Sequence, residues 1–151
     1  MSETRDVVVR DLTREECEAL LARHQVGRLA YVYRNHVEIV PIHYVFHDGW
    51  IYLRSAMGKK LVALQHAPWA ALEVDEIESF ASWTSVVVHG SVQVLDPEGP
   101  PSMREALATA VEALRAVNPN AFREGDPVPE RSFVLRISPD RLTGRASSPA
   151  T

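Results

Sequence analysis

Residues 50–60 have the sequence WIYLRSAMGKK, and this stretch decides the fold. A strand runs to Arg54, small residues follow, and a helix begins with Lys59 and Lys60. The start of a helix carries free backbone N–H groups and a partial positive charge, which suit an anion and disfavour lysine. Two lysines there, with Arg54 and Ser55 just before them, therefore indicate a bound phosphate. An exposed basic turn without a ligand is the alternative.

The residues before this stretch predict a three-stranded meander. Strands are expected over 27–33 and 37–46, and the Asp-Gly pair at 48–49 supplies the positive φ angles of a tight hairpin turn into the strand 50–54. Pro41 cannot donate a backbone hydrogen bond, so we expect it to bend or interrupt the second strand. Short turns between neighbouring strands are typical of an antiparallel sheet.

The remaining periodicity adds helices and further strands. Helices are expected over 13–24, 55–65 (with 55–58 as its approach) and 102–117, and strands over 70–77, 84–95 and 132–137. Thr13 and Glu16 have the spacing of a capping box, and Cys17, Leu20 and Leu21 share one face of the first helix. About six strands with three helices exclude a doubly wound parallel sheet. They favour a mainly β fold, a small antiparallel barrel with peripheral helices.

The 151 residues predict one domain, 1–151. Residues 1–11 are expected to be a flexible lead-in whose valines at 7–9 can pair as a strand. Residues 141–151 are expected to be a fraying tail. The loop 118–131 contains three prolines and is expected to be a mobile flap or an interface arm.

Composition limits the class of protein. The net charge of −4 argues against a general nucleic-acid binder, and the single cysteine, Cys17, excludes an internal disulfide. No stretch approaches the roughly 20 apolar residues that span a bilayer, and no signal peptide is recognisable. We therefore expect a cytoplasmic protein without a membrane or nucleic-acid partner. The histidines are scattered and predict no metal site: His24, His36, His43, His47, His66 and His89.

The segment 83–90, WTSVVVHG, is a strand whose two faces differ. Trp83 and Ser85 share one face, and Val86 and Val88 lie on the other, in the core or at an interface. Trp and Ser together can line a site for a planar, polar ligand, although Trp83 can equally cap the core. Gly90 within the strand predicts a bulge or a close backbone approach.

A third segment, PIHY at 41–44, can expose backbone groups. A proline in mid-strand frees backbone groups from the ladder, and freed groups can bind the hydrogen-bonding edge of a ring. His43 and Tyr44 are expected to point to opposite faces. A kinked edge strand with a core tyrosine is the alternative.

These segments, in this order, resemble the pyridoxamine 5′-phosphate oxidase-like superfamily, and within it the branch that contains the nitroimidazole-resistance reductases. The likeness covers residues 8–96 well and the C-terminal part more loosely. The matching stretches are VGRLA at 26–30, PIHY at 41–44, IYLRS at 51–55, GKK at 58–60, the strand 69–75 and WTSVVVHG at 83–90.

The resemblance implies an antiparallel split β-barrel of the FMN-binding type with flanking helices, assembled as a homodimer with FMN at the interface. Carried over by position, the phosphate would be held by Arg54, Ser55, Lys59 and Lys60. The backbone of Pro41, Ile42 and His43 would meet the isoalloxazine ring. Trp83 and Ser85 would close the site, contributed to the flavin of the partner subunit.

The resemblance also implies an FMN-dependent oxidoreductase that acts on a small molecule, with reduction of nitroaromatics or quinones as an expectation. His43 and Tyr44 are the candidate catalytic residues. The alternatives are a non-catalytic flavin-, haem- or deazaflavin-binding or sensing protein, and a dimeric scaffold without a ligand. Residues 137–145, ISPDRLTGR, lack the Arg-x-His pattern of the true oxidases, so oxidation of pyridoxamine phosphate is not expected.

Overall fold

The computed structural model describes residues 6–150, and β-strands dominate it. The strands are β1 (Val7–Asp11), β2 (Val26–Tyr33), β3 (His36–His43), β4 (Val45–His47), β5 (Trp50–Ser55), β6 (Trp69–Ile77), β7 (Trp83–Val94) and β8 (Phe133–Pro149). The helices are α1 (Arg14–Arg23), α2 (Lys59–His66) and α3 (Pro101–Arg115). None of these helices is long and apolar enough to cross a membrane.

All strand pairs are antiparallel, in the order β3-β2-β6-β7-β8-β5-β4, with β1 added along the end of β8. The sheet curls into a half-barrel, as the predicted split-barrel fold requires. Its inner face holds the main core, which α1 and α2 complete. The principal inner residues are Leu20, Leu21, Leu29, Ile51, Leu53, Leu61, Leu64, Leu72, Val86, Val88 and Leu135. Val86 and Val88 are thus core residues.

The third helix lies on the other side of the sheet. Its Ala110, Ala113 and Leu114 pack with Tyr52 and Val134 in a second apolar cluster. Because alternate residues of a strand face opposite sides, β5 supplies Leu53 to the main core and Tyr52 to this cluster. Helix α3 therefore covers the outer face only near β4, β5 and the first half of β8.

The start of the first helix confirms the predicted capping box. The Glu16 backbone N–H donates to the Thr13 hydroxyl at 3.2 Å, and the Thr13 N–H donates to the Glu16 carboxylate at 2.9 Å. Cys17, Leu20 and Leu21 are buried together, as their spacing predicts. The cap fixes where α1 begins, and the apolar face fixes it against the sheet.

The C-terminal part of the chain differs from our expectation of a fraying tail. Residues 141–149 continue β8, and their backbone pairs with β7 on one side and with β1 on the other. Two neighbouring strands satisfy the polar backbone groups that a free tail would leave to water. Within the expected lead-in, residues 7–11 form β1, while residues 1–5 lie outside the described part of the chain.

The second strand of the meander is divided at a different place from the one predicted. Pro41 stays within β3, opposite Arg28 of β2, and the break comes at Tyr44. A proline is tolerated there because β3 is the last strand of the sheet and its outer edge needs no donor. Tyr44 instead leaves the ladder, donates its N–H to Gln25 at 2.9 Å, and is buried.

Hydrogen bonds and burial hold the proline-rich segment between α3 and β8 in place. The Asp126 carboxylate accepts hydrogen bonds from the backbone N–H groups of Phe122 and Val128, at 2.9 and 3.1 Å. Ala121 is fully buried. We refer to residues 116–132 as the α3–β8 loop. The loop is held by these contacts, which differs from the mobile flap or interface arm that we expected for residues 118–131.

Candidate functional site

A cavity of about 860 Å³ opens where the end of β3, the start of α2 and the α3–β8 loop meet. It brings together residues that the sequence places far apart. Seven of the predicted cofactor-binding residues line it: Pro41, Ile42, His43, Arg54, Ser55, Lys59 and Lys60. Tyr44 contributes to the same wall, whereas Trp83 and Ser85 are not among the lining residues.

The two lysines at the start of α2 have different surroundings. The exposed Lys59 ammonium is 2.9 Å from a carboxylate oxygen of Glu38. Lys60 is half-buried, and within residues 6–150 no side chain forms an ion pair or hydrogen bond with it. Burial and the nearby Arg131 lower the pKa of Lys60. An unpaired, partly desolvated ammonium in a cavity is a favourable partner for an anion.

The structure changes the role that we predicted for Arg54. Its guanidinium forms a two-pronged ion pair with Asp126, with Nη2–Oδ2 at 2.7 Å and Nη1–Oδ1 at 3.3 Å. Nε donates to the Arg131 carbonyl and Nη2 to the Val128 carbonyl, so four of the five N–H groups are in use. The side chains of Arg54 and Asp126 are only 8% and 3% exposed. Arg54 therefore anchors the α3–β8 loop, and one Nη1 hydrogen remains for a ligand.

Two hydroxyl groups that we placed in the site are also occupied by protein acceptors. The buried Ser55 hydroxyl donates to the Ala56 carbonyl at 2.8 Å. The Tyr44 hydroxyl donates to the Leu21 carbonyl at 2.7 Å, and burial raises the pKa of Tyr44 far above its ordinary value. Neither hydroxyl is free to donate into the cavity, so Tyr44 matches the core tyrosine of the alternative interpretation.

Within the described residues, the end of β3 lies at an open strand edge beside the cavity. His43 is exposed beside the cavity, on the face opposite Tyr44, as predicted. Among the described strands, β3 pairs only with β2, so the backbone groups along its other edge have no strand partner. Such an edge offers N–H donors and carbonyl acceptors in a row.

The comparisons with known proteins show to which family the chain belongs. A family model described as pyridoxamine 5′-phosphate oxidase matches residues 13–146, nearly the whole chain. The chain belongs to this family. The matched range includes every residue that lines the cavity.

Several known proteins are similar to this chain over nearly their full length. The uncharacterized protein RA0666 of Rhizobium meliloti (strain 1021) is 30% identical over 149 residues, covering 92% of this chain and 95% of the relative. A FAD-binding protein of Mesorhizobium loti has a TM-score of 0.73 at 26% identity, over 95% of this chain and 99% of that one. A candidate 5-nitroimidazole antibiotic resistance protein of Bacteroides thetaiotaomicron has a TM-score of 0.68 at 15% identity, over 97% and 95%.

Two residues predicted from the family resemblance, Trp83 and Ser85, lie away from the cavity. They start β7, where Trp83 pairs with Ile77 and Ser85 pairs with Asp75. Both are partly exposed on the outer face of the sheet. In a single subunit they do not touch the residues that were predicted with them.

One wall of the cavity consists of residues that the sequence did not predict to belong to the site. The last turn of α3 and the α3–β8 loop supply seven lining residues: Leu114, Val117, Asn118, Pro119, Pro127, Val128 and Arg131. Leu114 lies in the helix predicted over 102–117, and the prolines lie in the loop expected to be a mobile flap or an interface arm. The available signal was the proximity of apolar and basic residues within one proline-rich loop.

Proposed function

We propose that this protein binds a flavin in the cavity, with the flavin phosphate at Lys60 and the isoalloxazine ring along the outer edge of β3. The observation that carries the proposal is that one cavity joins the half-buried, unpaired Lys60 ammonium to an exposed strand edge. The ammonium would bind the phosphate, and the strand edge would bind the polar edge of the ring. The name of the Mesorhizobium loti structure, a FAD-binding protein, supports a flavin as the ligand.

The residues present fit a flavin phosphate without Arg54 as its main partner. The first backbone N–H groups of α2 are free of helical acceptors and point out of the helix start, where an anion is favoured. Lys60 adds a full charge, and Lys59 adds a second that is shared with Glu38. The phosphate would offset the repulsion between the lysines and the positive end of the helix dipole.

A bound flavin supplies hydride and electron transfer, and the protein supplies position and electrostatics. We therefore propose an FMN- or FAD-dependent oxidoreductase that acts on a small molecule such as a nitroaromatic or a quinone. Of the two candidate catalytic residues, His43 is the one at the exposed ring end of the cavity. The non-catalytic alternative, a protein that stores or senses its cofactor, uses the same binding residues.

We further propose that the functional unit is a homodimer. The outer face of β3, β2, β6 and β7 carries no helix among residues 6–150, and several large apolar side chains are exposed on it: Val37, Ile39, Trp69 and Ile77. Large apolar side chains exposed on an uncovered sheet face are typical of a protein interface. A second subunit on this face would cover the strand that carries Trp83 and Ser85, and this supports their expected role at the partner's flavin.

Titration of FMN and riboflavin tests the phosphate site. Lys60→Ala should weaken FMN about tenfold, because a charge-assisted contact worth about 1.4 kcal/mol is lost. Riboflavin, which has no phosphate, should bind the variant and the wild type alike. Lys59→Ala is the matched control: it removes the same charge at a side chain already paired with Glu38, so its effect should be smaller. A wild type that binds no flavin, or equal losses for both ligands, would contradict the proposal.

Turnover separates the two functions that the site allows. The flavin-loaded protein should oxidise NADH or NADPH when a nitroaromatic or a quinone is present as acceptor. The flavin absorbance should bleach with the donor and return with the acceptor. Tight flavin binding without either change would favour the storing or sensing protein over the oxidoreductase.

A further inference from the structure

The uncovered outer face of the sheet carries opposite charges on its two central strands. This face spans β3, β2, β6 and β7, in that order. Alternate residues of a strand point to opposite sides, so Arg28 on β2 faces outward between core residues, and so do Glu73 and Asp75 on β6. Arg28 and Glu73 are directly opposite each other in the ladder. The centre of the face therefore has a cation on one strand and two carboxyl groups on the next.

These charges are only partly matched within one subunit. The Arg28 Nη1 atom lies 3.6 Å from Glu73 and 3.8 Å from Asp75, and both distances are longer than a hydrogen bond. Glu73 is within hydrogen-bonding distance of Asp75, so one guanidinium faces a pair of carboxyl groups. Among residues 6–150, Arg28 has no carboxylate at hydrogen-bonding distance, and most of its five N–H groups remain for another acceptor.

A second copy of the chain supplies the missing partners if the two faces pack about a two-fold axis. A two-fold interface uses the same surface on both subunits. An axis that runs along the strands, between β2 and β6, passes through the middle of the four-stranded face and puts β2 of each subunit opposite β6 of its partner. Positive charge then meets negative charge twice. Ala30 and Ala71 are neighbours in the ladder at this centre, and their small side chains leave room for the long ones beside them.

The same axis brings β7 of the partner to the cavity. Because β3 and β7 are the outer strands of the four, each lies opposite the other across the axis. Rotation about an axis along the strands keeps each residue at its own level. His43 and Ser85 are at one level, each two residues beyond the neighbours of the Arg28–Glu73 pair. The partner's Ser85 would thus lie opposite His43, a residue of the cavity wall, which is consistent with the proposed role of Ser85.

We propose that Arg28 of each subunit pairs with the partner's Asp75 across this axis, and that the two reciprocal pairs fix how the subunits are oriented. The inference rests on the proposed homodimer and adds where its axis runs and which charges hold it. Complementary charges across an interface fix its register and exclude wrong arrangements. Apolar side chains alone, such as Val37 and Ile39, would favour association without selecting one orientation.

Charge reversal tests the pair by sedimentation velocity and native mass spectrometry. Arg28→Asp and Asp75→Arg should each raise the dissociation constant of the dimer about a hundredfold, because each dimer then contains two like-charge contacts. An equimolar mixture of the two variants should form a heterodimer as readily as the wild type dimerises, since both contacts between its subunits then join opposite charges. Arg104→Asp is the control and should dimerise like the wild type, because Arg104 is exposed on α3, away from this face.

The mixture separates a contact between subunits from one within a chain. The double variant, Arg28→Asp with Asp75→Arg, restores both kinds of contact, so it should dimerise. A dimeric double variant whose two single variants form no heterodimer would place the pair within one chain and overturn the inference. Single variants that dimerise like the wild type, or a mixture and a double variant that both stay monomeric, would overturn it and leave the wild-type dimer in place. A monomeric wild type would overturn the proposed homodimer as well.

Discussion

At the residue scale, Arg54 illustrates how one side chain can suit a ligand and still be used by the protein. Arginine beside a helix start is a good phosphate partner, and the local sequence favours that role. Its actual carboxylate partner, Asp126, is 72 residues away along the chain and is positioned by the α3–β8 loop. No local pattern reveals such a pairing. Arg54 thus lies in the predicted place with a different set of partners.

The buried ion pair leads to a prediction about stability. Arg54→Ala should lower Tm by roughly 5 °C or more, because it leaves the buried Asp126 carboxylate without its cation. The α3–β8 loop should then become the first site of proteolysis. Thermal unfolding and limited proteolysis measure both effects, with Arg104→Ala as the exposed arginine control. An Arg54→Ala protein of normal Tm that loses only the preference for FMN over riboflavin would restore the phosphate role.

A second residue-scale prediction concerns Glu73 on the outer face of β6. Burial and the neighbouring Asp75 raise the pKa of Glu73 to about 7, against the opposing effect of Arg28. Between about pH 4.5 and 7 the folded state therefore holds a proton that the unfolded state has lost, so stability falls as pH rises. Relative to Glu73→Gln, the wild type should lose roughly 1 kcal/mol from pH 5 to pH 8, after allowance for solvent screening.

Chemical denaturation at a fixed protein concentration measures this difference. The concentration must be fixed because association would shift the apparent stability. Parallel pH profiles for the wild type and Glu73→Gln would contradict the raised pKa. If the wild type instead gains stability relative to the variant as pH rises, the pKa of Glu73 is lowered rather than raised.

At the scale of elements, β8 joins the two parts of the sheet. Its first half pairs with β5 and the end of β7, and its second half pairs with β1 and the start of β7. The ladder with β7 shifts register between His89 and Ser91. Gly90, which the sequence marked as a bulge or close approach, lies at this shift. The predicted irregularity at Gly90 is therefore confirmed.

The close approach at Gly90 makes a sharp test of this element. A Cβ there would lie 1.8 Å from the Ser138 carbonyl oxygen, which is backbone and cannot move aside cheaply. Gly90→Ala should therefore destabilise the protein by about 2–4 kcal/mol. Gly58→Ala is the matched control, since no heavy atom lies within 4 Å of its Cβ position and its backbone is extended. Equal stability of the two variants would refute the constraint at the bulge.

At the scale of the whole molecule, the sequence predicts the elements of the sheet better than their ends. Turn chemistry, alternation and the capping box determine the strands and α1. The second half of β8 lacks a clear alternation and becomes a strand only because β1 and β7 flank it. For the site, the segments at 41–44 and 54–60 could be found because each carries a local signal. The wall supplied by α3 and the α3–β8 loop could not, because it depends on how that loop folds back onto β5.

The exposed outer face is the whole-molecule feature on which the proposed association rests. Ile39 on β3 is 67% exposed and lies opposite Ala30 of β2 on that face. If two subunits meet there, Ile39→Asp should produce monomers in sedimentation velocity at micromolar concentration, with flavin affinity reduced because the partner's Trp83 and Ser85 are lost. Val62→Asp, at an exposed valine on α2 away from the sheet face, should leave the dimer intact. A wild type that sediments as a monomer with flavin bound would show that one subunit completes the site alone, and Trp83 and Ser85 would then have no part in it.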